Sequence, residues 1–101
     1  MLFKEYQQCR EDINLLGETA LDYTMGNIDI ALGKIYRFKD TVLYRELLER
    51  EGLELSERFH VVANFINAAK HFGKVSNEGI GKMAKFVIYV GDMGHKYGLL
   101  K

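Results

Sequence analysis

At 101 residues the chain has the length of one domain, and 48% apolar with 28% charged side chains suits a globular protein that buries a core without staples. Its one cysteine, Cys9, excludes an internal disulfide and fits a reducing, cytoplasmic setting. The longest strongly apolar run, FVIYV, is too short to cross a bilayer, and the early charges at Lys4 and Glu5 argue against a signal peptide.

The N-terminal stretch places Phe3, Tyr6, Cys9, Ile13 and Leu16 at steps of three or four, which predicts a helix over residues 2–16 with Gly17 as its stop. Leu21, Met25, Ile28, Leu32 and Ile35 then form a helical seam. Gly26 and Gly33 lie off that seam, each costing about 1 kcal/mol relative to alanine in a helix interior. A break near Gly26 is the alternative reading.

Asp40 is the expected N-cap of a third helix with Leu43, Tyr44 and Leu47 facing inward. Arg45–Glu49 and Glu46–Arg50 are expected i,i+4 pairs on its wet side, and Gly52 ends it. Ser56 is the expected cap of a fourth helix that runs to Gly73. Ser76 starts a fifth with Ile80, Met83, Val87 and Val90 inward, and Gly91, Gly94 and Gly98 predict fraying past Val90. KFVIYV has the β-branched and aromatic content of a strand, but no alternating segment exists to pair with it. The expected fold is all-α, a compact bundle of four or five short helices forming one domain.

The net charge of zero hides a division. Residues 1–57 hold twelve acids and seven bases, whereas residues 58–101 hold two acids and seven bases. Within the basic half, His60, Asn64, Asn67, His71 and Lys74 recur at helical steps with no carboxylate among them. A second ribbon follows at Lys82, Lys85, Tyr89, Asp92 and Lys96. Amides, imidazoles and lysines suit anions and peptide or base edges, and lysines beside a tyrosine suit phosphate contact with stacking. A solvated helix face explains the same residues without any ligand, and both readings stand at this point. Glu18, Asp22 and Asp29 form an acidic strip that reads as an ordinary wet face, since no histidine lies at the spacing a di-metal helix needs.

The histidines have no zinc spacing, and no nucleophile elbow, Walker loop or dinucleotide fingerprint is present. The expectation is therefore a small non-enzymatic interaction or regulatory protein without cofactor or metal, acting through a protein partner or by self-association. A nucleic-acid-binding protein using residues 58–101 is the alternative. An enzyme with a dispersed site at His60, His71 and Tyr89 ranks third. No contact with a membrane is expected.

Overall fold

The computed structural model describes all 101 residues and contains five helices and no strand. These are α1 (Phe3–Thr24), α2 (Ile28–Lys39), α3 (Val42–Glu51), α4 (Leu53–Phe72) and α5 (Asn77–Lys96). α1, α2, α4 and α5 form a ring in which each packs on two neighbours, with α1 and α4 on the diagonal. The short α3 joins that diagonal by packing on both α1 and α4. No helix is long and apolar enough to cross a membrane.

Helix boundaries follow the predicted signals at Gly52, Gly73 and Ser76, whose hydroxyl oxygen accepts from the Gly79 amide at 2.9 Å. Four signals give way to tertiary packing. α1 passes through Gly17, because its inner face continues as Cys9, Asp12, Leu16, Thr19 and Tyr23, all buried. Burying those side chains outweighs one interior glycine. The break falls instead at Gly26, whose φ of +85° is open to glycine at no steric cost. The apparent seam from Leu21 to Ile35 thus spans two helices, and Leu21 and Met25 remain 63% and 71% exposed.

α3 is capped by Thr41, not Asp40: the Thr41 hydroxyl oxygen accepts from the Tyr44 amide at 3.2 Å. The Leu43 amide donates instead to Oδ2 of Asp12 at 3.0 Å, so a buried carboxylate of α1 caps the start of α3 from outside it. α4 begins at Leu53, three residues before the expected cap Ser56. α5 does not fray at Val90. It continues to Lys96 because the tail folds back on it, with the Leu99 and Leu100 amides donating to the Gly94 carbonyl at 2.8 and 3.1 Å. Of the two expected pairs on α3, Glu46–Arg50 closes at 2.8 Å and Arg45–Glu49 does not form.

The centre of the core is aromatic. Phe38 of α2, Tyr44 of α3, Phe59 of α4 and Phe86 of α5 form a closed cycle of edge-to-face contacts. Ring centroids are 5.8 Å apart for Phe38–Tyr44, 5.4 Å for Tyr44–Phe59, 6.4 Å for Phe59–Phe86 and 6.2 Å for Phe86–Phe38. At the other end of the bundle, Tyr23 lies so close to Gly79 that an added Cβ would strike its hydroxyl.

On α4, Ile66 is fully buried and Phe65 only half so. Ile66→Ala is expected to cost about 2–5 kcal/mol in denaturant melts, and Phe65→Ala less. A loss below about 1 kcal/mol for Ile66→Ala would contradict this packing.

Candidate functional site

α4 and α5 form a hairpin whose outer groove collects three of the seven Lys and Arg of the second half. Lys82, Lys85 and Phe86 of α5 meet Arg58, Val61 and Val62 of α4 around a depression of about 120 Å³. The Arg58 guanidinium pairs with Glu54 at 3.0 Å and lies over the Tyr89 ring at 4.2 Å. Neither Lys82 nor Lys85 forms an ion pair, although Glu78 precedes Lys82 by one turn. Both ammonium groups are exposed.

The α4 ribbon lies on the same side of the molecule but does not merge with this groove. His60, Asn64, Asn67 and His71 are exposed along α4, and Lys74 follows just past Gly73. At about 100° per residue, Val61, Phe65, Ala68 and Phe72 occupy the strip between that ribbon and α5. Val61 is 41% and Phe72 74% exposed. A second apolar depression, of about 140 Å³, lies among Phe65, Ala68, Ala69 and Phe72, with Lys74 and Ser76 at its rim. The two ribbons thus flank an apolar strip. Asn67 is partly engaged: its amide donates to the Ala63 carbonyl at 3.0 Å and the Tyr36 hydroxyl at 3.3 Å. A ring nitrogen of His60 lies 2.7 Å from the Ser56 carbonyl.

Tyr89 and Lys96 are not part of the groove opening. Tyr89 is buried, its ring is covered by Arg58, and its hydroxyl donates to Glu51 at 2.6 Å. No face of that ring is presented for stacking on a base. Lys96 lies two turns beyond Tyr89 on α5, over the Tyr97 ring at 5.3 Å. The Tyr97 hydroxyl donates to the second Glu51 oxygen, also at 2.6 Å, so one carboxylate of α3 clamps α5 and the residue that follows it. The bonds from Tyr89 and Tyr97 hold the Glu51 carboxyl below its ordinary range. Burial and the Glu51 bond push the Tyr89 hydroxyl up.

Elsewhere two lysines are answered by carboxylates. Lys34 reaches Asp22 at 2.8 Å and Glu18 at 3.5 Å, and Lys70 reaches Asp29 at 3.1 Å. The acidic strip therefore serves as ion-pair partner for α2 and α4. Cys9 is fully buried, and burial first, then Asp12, pushes its thiol up to about 11, so it is protonated at neutral pH. No group of three or more His, Cys, Asp or Glu side chains gathers where it could hold a metal ion. A larger, open depression of about 330 Å³ beside Asp12 mixes both signs, and the Asp12 carboxylate there is already bonded to Gln8 and to α3.

Arg58, Val61, Phe72 and Glu51 went unselected on sequence grounds. The signal for Arg58 was its place at the boundary where the acids of the first half give way. The apolar strip was hidden because nothing in α4 alone distinguishes a buried arc from one that α5 leaves partly open.

The Glu51 clamp carries a pH dependence. Its carboxyl is lowered in the folded state, so its stabilisation is complete above the unfolded value of about 4.3 and disappears as pH falls through the folded value. Glu51→Gln is expected to cost about 1–3 kcal/mol at neutral pH, and the difference from wild type should shrink below about pH 4. Parallel melts of the two proteins across pH check this, and a difference that is constant with pH would contradict the clamp.

No protein-family model, no curated protein and no solved structure matches this chain.

Proposed function

We propose that this is a small, non-enzymatic interaction protein, regulatory in character, that acts through a protein partner or by self-association on the α4–α5 face. One observation carries the reading. Lys82 and Lys85, both without an ion-pair partner, share a groove with Arg58 and an apolar floor of Val61, Val62 and Phe86. Such a surface offers charge for orientation and apolar area for affinity, and the charge sets on-rate and specificity more than strength. A reducing, cytoplasmic setting is proposed with it and rests on Cys9 being the sole cysteine and buried.

A nucleic-acid partner is the second reading, favoured by the same unpaired lysines together with Lys74. Three considerations rank it lower. The chain has no net charge, the unpaired cations on this face are only Lys74, Lys82 and Lys85, and the Tyr89 ring is covered.

The test is capture from native extract by wild type and by Lys82→Glu/Lys85→Glu, with and without nuclease, and sedimentation of the pure protein at low and high salt. Exposed charges more than about 10 Å apart are screened at 0.1 M salt, so association is expected to weaken as salt rises and to be lost in the double variant. A double variant that melts as wild type does and still captures the same partner would overturn the assignment to this face. Capture abolished by nuclease would move the reading to nucleic acid.

A further inference from the structure

We infer that the partner segment on this face is an amphipathic helix with an apolar stripe bordered by acidic residues. This rests on the preceding reading and names the occupant.

The argument begins with the shape of the strip. Val61, Phe65, Ala68 and Phe72 follow at steps of four, three and four, so they form one straight apolar row along α4. The row runs eleven residue steps from Val61 to Phe72, or about 16 Å at 1.5 Å per residue, which is three helical turns. It lies beside the shallow trough between α4 and α5, with the depressions at Val61–Val62 and at Phe65–Phe72 arranged along it. An apolar row in a trough between two helices is the receiving surface for a third helix, whose apolar side chains recur at the same spacing.

The charges choose among helices. Along one border of the row stand Arg58, Lys82 and Lys85, Lys74 stands at its C-terminal end, and along the other border runs the polar ribbon of His60, Asn64, Asn67 and His71. Lys82, Lys85 and Lys74 form no ion pair, and Lys70 is already held by Asp29. The carboxylates nearby lie towards the ends: Glu54 and Glu57 at the start of α4, and Glu78 at the start of α5. Lysines thus border the row on its α5 side and at its C-terminal end. A basic or neutral helix would leave those lysines unanswered or repelled, whereas acids bordering the incoming stripe on the α5 side would meet them. Asn64 and Asn67, on the outer border, are amides that donate to a carboxylate or accept from an ammonium group and do not oppose this choice.

The experiment uses a fluorescent synthetic helix of about four turns as its probe, with leucine at the i, i+3, i+7 spacing and glutamate on both borders of that stripe. Its controls are the same composition scrambled and a version with lysine in place of every glutamate. Anisotropy titrations of the full chain are expected to show binding of the glutamate helix that weakens with salt. Affinity should fall at least about tenfold for Lys82→Glu/Lys85→Glu. It should also fall for Phe72→Ser, an exposed position at which substitution leaves the core untouched. Equal affinity for the lysine helix or the scrambled peptide would overturn the inference, as would full affinity in both variants. Two further results would do so by assigning the face to another occupant: displacement of the glutamate helix by a single-stranded oligonucleotide at lower concentration, or self-association of the pure protein through this face. If the peptide fails while a native partner is still captured in a Lys82- and Lys85-dependent way, the inference falls and the reading beneath it stands.

Discussion

Four aromatic rings, one from each of α2, α3, α4 and α5, close on one another edge to face. Each contact of this kind adds about 0.5–1.5 kcal/mol beyond the area it buries, and it constrains angle as well as distance. α1 supplies no ring to this cycle. It is joined by a different device, the buried Asp12 carboxylate that accepts the Leu43 amide at the start of α3. A carboxylate at a helix N-terminus satisfies an otherwise orphaned donor and complements the helix dipole. The cycle fixes four helices relative to one another, and α1 joins them by packing its buried face on α2 and α5 and by the Asp12 bond to α3.

The location of the exposed face follows from that arrangement. Phe59 and Phe86 turn inward to meet each other, so the residues beside them on α4 and α5 line the outer trough. Arg58 and Lys85 immediately precede the two rings in sequence, and Val62 and Lys82 lie one turn away on each helix. The zero net charge is distributed unevenly across the surface for the same reason. Lys34, Arg50, Arg58 and Lys70 each have a carboxylate within reach, whereas the other ten Lys and Arg, Lys74, Lys82 and Lys85 among them, form no ion pair. Glu51, the acid of the first half that reaches α5, is taken by two tyrosine hydroxyls.

Much of the helical order was legible in local signals. Gly52, Gly73 and the Ser76 hydroxyl act where they stand, because a cap or a left-handed turn depends on a few adjacent atoms. The first two helices were misdivided because the inner face of α1 includes polar Asp12 and Thr19, which no apolar periodicity reveals. The Thr19 hydroxyl is satisfied by the Leu15 carbonyl at 2.8 Å, and Asp12 by a helix distant in sequence. The persistence of α5 past Val90 was hidden for a related reason: its glycine-rich end is held by Leu99 and Leu100, which return to it. In the candidate site, Lys82 and Lys85 were legible as a ribbon. Arg58, Val61 and Phe72 gained their place from the docking of α5 on α4, and Tyr89 lost its expected exposure by the same docking.

The claim on which both the bundle and its exposed trough depend is that the ring contacts across α4 and α5 act as oriented pairs and not merely as apolar bulk. A double-mutant cycle of Phe59→Leu and Phe86→Leu in denaturant melts measures this directly, because leucine keeps the burial and removes the edge-to-face geometry. The account predicts that the two changes are coupled by about 0.5–1.5 kcal/mol. Losses that simply add, with coupling below about 0.3 kcal/mol, would contradict it.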